Sequence, residues 1–150
     1  MSDAGGKPTV LVVEDDACLL RLIECMLANA GLETSTAGGA VDGLALVRER
    51  QGHFDLAILD MVMPGMSGLD LATELSRDYP GIKILYISGY VGSLAADALA
   101  RRTPDRVLLK PFTEETLLER VRMVLDSSAA SEPGQSSQAL ADAAGDGSAG

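Results

Sequence analysis

The stretch VLVVEDD at residues 10–16 decides the fold, because an apolar run ends there in three consecutive acids. A second run, LAIL at residues 56–59, ends in the same way at Asp60. Short apolar runs that stop at polar residues predict β-strands. Each of these two stretches is therefore predicted to be a strand that carries carboxylates at its carboxyl end.

Apolar runs alternate with helical patterns five times. Strands are predicted at residues 9–14, 32–37, 55–59, 82–87 and 106–109, and helices at about 19–30, 39–51, 67–79, 92–101 and from 113 onwards. Repeated strand–helix units imply a parallel sheet with helices on both faces. A closed barrel needs eight such units. We therefore predict an open α/β fold, a flavodoxin-like, doubly wound (βα)5 domain whose five parallel strands have the order 2-1-3-4-5.

The composition is that of one folded domain with two polar ends. The chain has 150 residues, of which 47% are hydrophobic. Residues 1–6 are small and polar, which predicts a flexible N-terminus. Residues 127–150 are mainly Ala, Gly and Ser, which predicts a disordered tail or linker. The folded unit is thus expected at residues 7–126. Because neither a membrane-spanning stretch nor a signal peptide is visible, a cytoplasmic location is expected.

The charge and the cysteines exclude some classes of function. The formal net charge is −10, and phosphate contacts dominate nucleic-acid affinity, so direct binding to DNA or RNA is not expected. Cys18 and Cys25 lie on one predicted helix, roughly 10 Å apart at about 1.5 Å per residue, too far for a disulfide. We expect both to be reduced and half-buried. With one His and two Cys, a zinc site has too few soft ligands.

Two aspartates are predicted to meet at one edge of the sheet. The carboxyl ends of parallel strands share an edge, and ligands bind there. In the predicted strand order, Asp15 and Asp60 would lie side by side and repel each other. A hard cation such as Mg²⁺ would remove the repulsion, because it binds carboxylates and keeps several waters. Asp16 is expected to cap the following helix instead.

A hydroxyl and a cation are predicted at the same edge. Ser88 ends the run at residues 82–87, and Lys110 ends the run at residues 107–109. Lys110 is therefore a natural counter-charge for a phosphoryl group or for Asp60, and Ser88 could reach an anion. A cis bond between Lys110 and Pro111 is possible.

Four motifs together point to a known family. They are VLVVEDD at residues 10–16, LDMVMPGMSG at 59–68, ISGY at 87–90 and LKPF at 109–112. Their order and spacing resemble those of a response regulator receiver domain, and the resemblance covers about residues 7–126. The last two motifs look more like receivers of hybrid histidine kinases, or of stand-alone regulators, than like receivers fused to DNA-binding domains.

The resemblance implies a role for each acidic residue. Asp60 would be the phosphoacceptor. Its carboxylate, that of Asp15 and the backbone carbonyl of Val62 would bind Mg²⁺, and Glu14 would act on the metal through water. Such a site takes a phosphoryl group from a phosphohistidine on a histidine kinase or a histidine phosphotransfer protein.

The resemblance also implies how the phosphoryl group is detected. Ser88 would donate a hydrogen bond to it, and Lys110 would pair with it. Receivers usually carry an aromatic residue three positions before the lysine that rotates with the switch, but here that position is Val107. Tyr90, two residues after Ser88, is a candidate to replace it.

The resemblance implies a signalling domain that acts by conformational change and protein contact, not an enzyme, although it can catalyse its own phosphorylation and dephosphorylation. Two alternatives remain open. A phosphatase with an aspartyl nucleophile usually has a second Asp two residues later, where this chain has Val62. A pseudo-receiver that only mediates dimerisation would not need Asp60, Asp15 and Lys110. A signalling receiver domain could also form a homodimer.

Overall fold

The structure, a computed structural model, describes residues 7–89, 98–99 and 101–127. Five parallel strands form one sheet in the order β2-β1-β3-β4-β5, which confirms the predicted topology. The strands are β1 (Thr9–Val13), β2 (Glu33–Ala37), β3 (Leu56–Asp60), β4 (Lys83–Ser88) and β5 (Val107–Leu109). The helices are α1 (Ala17–Asn29), α2 (Ala40–Glu49), α3 (Gly68–Asp78) and α4 (Glu114–Asp126), and a 3₁₀ turn spans Pro104–Arg106.

The central strands are buried on both faces. Every residue of β3 is buried, as are residues 10–13 of β1. Side chains of one face pack with α2 and α3, and those of the other pack with α1 and α4. Because consecutive strand residues point to opposite faces, the apolar runs at residues 10–13 and 56–59 supply both layers of the core. This two-layer burial fixes β1 and β3 at the centre of the sheet.

Side-chain caps fix the first turns of α1 and α3. The side chain of Asp16 accepts hydrogen bonds from the amides of Cys18 and Leu19, at 3.0 and 3.2 Å. Ser67 and Asp70 form a reciprocal capping box at the start of α3. These contacts satisfy amide groups that have no partner inside the helix. The predicted capping role of Asp16 is therefore confirmed.

Several details differ from the prediction. Asp60 and Ser88 are the last residues of their strands rather than the residues that follow them, because the pairing of β3 with β4 continues through Asp60 and Ile87. Cys18 and Cys25 are exposed, so their predicted half-burial is wrong. Leu22, which belongs to the apolar helical pattern at residues 19–30, is 50% exposed. The apolar stripe of α1 is thus narrower than its sequence pattern indicates.

Part of the prediction falls outside the described residues. The helix predicted at residues 92–101 is described only at 98–99 and 101, which are helical. The flexible N-terminus expected at residues 1–6 also lies outside the described part of the chain, and so does the tail expected at 127–150 except for Ser127, which is the C-cap of α4. Among the described residues, no helix has the length and apolar character needed to cross a bilayer.

Candidate functional site

The carboxyl edge of the sheet gathers the predicted site residues. Glu14 directly follows β1, Asp60 and Ser88 end β3 and β4, and Lys110 directly follows β5. In register, Val13 lies opposite Leu59 and Asp60 opposite Ile87. The parallel pairing of the four neighbouring strands β1, β3, β4 and β5 therefore brings side chains from distant parts of the sequence to one place. We call this group, with Asp15, the carboxylate edge.

Three acids of the carboxylate edge can share one ion. Glu14, Asp15 and Asp60 each offer a carboxylate oxygen, and these atoms lie within 4.8 Å of one another. Glu14 is 1% exposed and Asp60 is 4% exposed, while Asp15 is exposed. Oxygen-only ligands that are open to water on one side suit a hard divalent cation such as Mg²⁺, which keeps several waters. The donor set therefore fits the predicted metal.

Lys110 supplies the positive charge of the carboxylate edge through its ammonium group. Its Nζ lies 3.1 Å from Oε1 of Glu14 and 3.4 Å from Oδ2 of Asp60. Burial acts to lower the pKa of Lys110, but the hydrogen bonds and charges of Glu14 and Asp60 outweigh it and raise that pKa above its usual value. Lys110 thus stays charged, and its ammonium contacts two of the three acids, Glu14 and Asp60.

Glu14 is the most enclosed acid of the group. Its Oε1 faces Lys110, and its Oε2 accepts a hydrogen bond from the amide of Asp16 at 3.0 Å. Burial, with a contribution from nearby Asp60, raises the pKa of Glu14 to about 7, although the Asp16 amide and Lys110 favour its ionised form. The side chain therefore holds a proton more readily than a solvated glutamate does.

Asp60 is held by contacts on both carboxylate oxygens. Oδ2 faces Lys110, while Oδ1 accepts a hydrogen bond from the amide of Val62 at 3.2 Å. The amide of Met61 donates to the carbonyl of Ile87 at 2.9 Å, which ties the start of this loop to β4. The side chain of Val62 is 55% exposed. The loop after β3 is thus anchored by its backbone while its side chain at position 62 faces solvent.

The remaining predicted residues occupy different surroundings. Ser88 is 2% exposed, and its carbonyl accepts a hydrogen bond from the amide of Lys110 at 2.9 Å. Val107 is 6% exposed and lies opposite Tyr86 in the pairing of β4 with β5. Tyr90 lies outside the described residues. The peptide bond between Lys110 and Pro111 is cis, the isomer that the sequence left open.

Two glycines next to the site were not singled out from the sequence. A Cβ at Gly89 would lie 2.9 Å from Cδ of Lys110, so the lysine stem passes directly over this residue. Gly68 lies against the backbone of Asp60. The only sequence signal was that each glycine sits within a motif of the site, next to a polar residue. Their close contacts depend on tertiary distances that a single sequence does not provide.

Comparison with known proteins gives a consistent result. A family model described as "Response regulator receiver domain" matches residues 10–122. The sensor kinase CckA of Brucella abortus is 34% identical over 129 residues, which are 83% of this chain and 13% of that protein. The DNA-binding response regulator MtrA of Mycobacterium tuberculosis is 32% identical over 116 residues, 77% of this chain and 50% of MtrA. The chain therefore spans half or less of these two relatives.

Solved structures show the same architecture. A CheY-like response regulator receiver domain protein from Methanospirillum hungatei is 30% identical, with a TM-score of 0.71 over 81% of this chain and 95% of that one. The response regulator TrrA of Thermotoga maritima, in complex with Mg²⁺ and BeF, is 32% identical, with a TM-score of 0.66 over 78% of this chain and 98% of that one. In both cases nearly the whole of the solved chain corresponds to residues of this protein.

Proposed function

Because the chain belongs to the response regulator receiver family, we propose that it accepts a phosphoryl group on Asp60 as part of two-component signalling. The observation that carries this proposal is the carboxylate edge itself. Three acids have carboxylate oxygens within 4.8 Å of one another at the end of the central strands, and two of them contact the ammonium of Lys110. This arrangement suits phosphoryl transfer, which needs a nucleophile, a metal and neutralisation of charge.

Four residues of the chain would hold Mg²⁺. The carboxylates of Asp15 and Asp60 and the backbone carbonyl of Val62 are direct ligands in this proposal, and Glu14 acts through water. The oxygen-only donors support it, and so does the Mg²⁺ present in the related TrrA complex. Bound there, Mg²⁺ would offset the negative charge of the phosphoryl oxygens during transfer.

The transfer itself is assigned to Asp60. A carboxylate oxygen of Asp60 forms a bond to phosphorus while the P–N bond of a phosphohistidine breaks, and the departing imidazole nitrogen keeps the electron pair and takes up a proton. Lys110 pairs with the phosphoryl oxygens, and Ser88 donates a hydrogen bond to them. The two contacts of Asp60, with Val62 and Lys110, support this because they orient its carboxylate before the reaction.

The donor is proposed to be a histidine kinase or a histidine phosphotransfer protein. An apolar cleft of about 380 Å³ opens beside Lys110, between α1 and the loop after β5, and is lined by Leu19, Leu22 and Phe112. Because the cleft adjoins the carboxylate edge, a protein that brings a phosphohistidine to Asp60 would cover it. We expect Leu22→Ala to slow transfer from such a donor by about 10-fold without changing phosphorylation by a small molecule.

The response is proposed to run through conformational change and contact with other proteins. The added phosphoryl charge attracts Ser88 and Lys110. Val107 has no ring that could rotate, so Tyr90 is the candidate for the switch residue. The folded unit is proposed at residues 7–126, and self-association of this domain stays a possible form of output. Other segments of a longer protein would carry any further activity.

The decisive experiment is phosphorylation by acetyl phosphate with Mg²⁺, followed by intact-protein mass spectrometry. We expect wild type to gain one phosphoryl group that is labile to hydrolysis, Asp60→Asn to gain none, and removal of Mg²⁺ to prevent the gain. Asp42→Asn is the matched control, because Asp42 is an exposed acid in the first turn of α2, and it should behave like wild type.

Each contrary result identifies a different error. A wild-type protein that gains no mass, while a known receiver does under the same conditions, would exclude the phosphoacceptor function. A mass gain in Asp60→Asn would show that another residue is modified. Sustained turnover of a phosphomonoester would favour the phosphatase alternative over a signalling domain.

A further inference from the structure

The first residue of α3 lies directly against the backbone of the proposed phosphoacceptor. Gly68 follows the N-cap residue Ser67 and is buried. Its amide donates to the carbonyl of Met61 at 3.3 Å. A Cβ at Gly68 would overlap the carbonyl oxygen of Asp60 and would lie 2.8 Å from the carbonyl carbon of Asp60 and 3.1 Å from Cα of Met61. Only a hydrogen atom therefore fits between α3 and the end of β3.

Backbone conformation does not explain this glycine. The described glycines with left-handed φ angles are Gly31, Gly52 and Gly65, and Gly68 is not among them. Helix propensity does not favour it either, because only Pro is a weaker helix former than Gly. The close approach to Asp60 is the feature of this position that excludes a larger residue.

Both sides of this contact are held in place. On the helix side, the capping box fixes the first turn, since the amide of Asp70 donates to Oγ of Ser67 at 3.1 Å and the amide of Ser67 donates to Oδ2 of Asp70 at 3.3 Å. On the strand side, β3 pairs with β1 and β4. A methyl group at position 68 would have to displace backbone, not a flexible side chain. The segment that would move carries the carboxylate of Asp60 and the carbonyl of Val62.

We propose that Gly68 is a positioning residue for Asp60. By letting the first turn of α3 rest on the Asp60 carbonyl, it sets where the Asp60 carboxylate and the Val62 carbonyl stand relative to Asp15 and Lys110. This inference rests on the proposed function. In-line transfer depends strongly on position, and a displacement of about 1 Å can cost about 100-fold in rate.

The test compares Gly68→Ala with Ala72→Gly. Ala72 is fully buried one turn further along α3, and its replacement should lower stability by about 1 kcal/mol or slightly more without touching Asp60. The rate of phosphorylation is measured at saturating acetyl phosphate and Mg²⁺, and the dissociation constant for Mg²⁺ is measured by NMR titration of backbone amides. Circular dichroism establishes that each variant is folded.

We expect Gly68→Ala to react at least about 10-fold more slowly than wild type and to bind Mg²⁺ several-fold more weakly, while Ala72→Gly matches wild type in both. A folded Gly68→Ala protein with wild-type rate and Mg²⁺ affinity would overturn the proposal. If wild type itself is not phosphorylated, the proposed function fails, but the comparison of Mg²⁺ affinities still tests the positioning role.

A second pair of variants covers the case in which Gly68→Ala does not fold. Ser67→Ala loosens the turn that rests on Asp60, and Thr113→Ala removes a matching cap from α4, where the amide of Thr116 donates to Oγ1 of Thr113 at 3.1 Å. Each loses about 1 kcal/mol of capping energy. We expect Ser67→Ala to slow phosphorylation by about 3-fold or more relative to Thr113→Ala. Equal rates for the two variants would overturn the proposal.

Discussion

The two edges of the sheet differ in how their charged side chains are grouped. The charges at the amino edge are bonded separately, and those at the carboxylate edge are clustered. At the amino edge, Oδ2 of Asp55 accepts a hydrogen bond from the amide of Thr9 at 2.9 Å, and Nζ of Lys83 donates to the carbonyl of Leu125 at 2.7 Å. At the carboxylate edge, three carboxylates and one ammonium lie close to each other. At the amino edge these charges bond backbone groups of other elements, whereas at the carboxylate edge the backbone groups that bond Glu14 and Asp60 are amides two residues along the chain, and negative charge is left in excess.

This difference in charge arrangement implies that the amino edge serves stability and the carboxylate edge serves the proposed function. A charged side chain that bonds a backbone group of another element ties the two together, as Lys83 ties β4 to the end of α4. Clustered carboxylates repel one another and favour either a proton or a cation. Variants at the amino edge should therefore change stability alone, while variants at the carboxylate edge should change Mg²⁺ binding and phosphorylation. Pairs of variants, one at each edge, test this separation.

The largest contrast is expected between Asp15→Asn and Asp55→Asn. The first removes a proposed Mg²⁺ ligand and should slow Mg²⁺-dependent phosphorylation by about 100-fold at limiting Mg²⁺. The second weakens the bond to the Thr9 amide, so it should lower the free energy of unfolding by about 1 kcal/mol and leave the rate unchanged. Rates come from intact-mass time courses and stability from urea denaturation. Equal loss of rate in both variants would mean that the edges are not functionally distinct.

A smaller contrast is expected between Lys110→Met and Lys83→Met. Lys110→Met removes the ammonium beside Glu14 and Asp60 and should slow phosphorylation by about 30-fold, less than the loss of a fully enclosed donor would. Lys83→Met leaves the Leu125 carbonyl without its charged donor, which should cost about 1–3 kcal/mol of stability. The same rate and denaturation measurements apply. If Lys83→Met slowed phosphorylation while Lys110→Met lowered only the stability, the proposed division of roles between the two edges would be contradicted.

The fold could be predicted because local patterns and tertiary packing agree in the central strands. The run at residues 10–13 is apolar throughout, and the structure buries all four side chains. The local pattern and the observed burial disagree at the edges of the apolar faces. Leu22 continues the apolar stripe of α1, yet it faces the cleft beside Phe112 and stays half-exposed. The helical period of apolar residues predicts the centre of an apolar face. It does not predict how much of that face other elements cover.

The residues of the site could be predicted better than their contacts. Asp60 and Lys110 each end an apolar run, so strand order alone brings them to one edge. That Glu14 would be almost fully buried, with one oxygen beside the Lys110 ammonium and the other bonded to the Asp16 amide, depends on side-chain packing between strands. The close contact of Gly68 could not be predicted either, because it depends on the distance between Gly68 and the Asp60 carbonyl and not on a backbone angle.

The buried acid of the carboxylate edge should give stability a distinct pH dependence in the absence of metal. The pKa of Glu14 is raised from 4.5 to about 7 in the folded protein, mainly by burial. The folded state thus holds a proton that the unfolded state has lost, so the contribution of Glu14 is fully present below about pH 4.5 and lost as pH rises through about 7.

The comparison with Glu14→Gln isolates this effect, because glutamine does not titrate. Between pH 4.5 and pH 8, with a chelator present, wild type should lose stability relative to Glu14→Gln by on the order of 1–3 kcal/mol. Urea denaturation at several pH values measures the difference. A difference that stays constant across this range would show that Glu14 is solvated as freely in the folded chain as in the unfolded one.

The smallest effect on the phosphorylation rate is expected from a substitution at Gly89. Gly89 contacts a flexible side chain, whereas Gly68 at the same edge contacts backbone. A Cβ there would lie 2.9 Å from Cδ of Lys110, but the lysine stem is flexible and can shift, unlike the backbone that Gly68 touches. Gly89→Ala should therefore slow phosphorylation by only about 2- to 3-fold, by moving the ammonium slightly from Asp60. The rate is compared with that of Gly81→Ala, where a Cβ meets no atom within 4 Å. A loss at Gly89→Ala as large as that at Gly68→Ala would mean that Lys110 is held as rigidly as the backbone of Asp60.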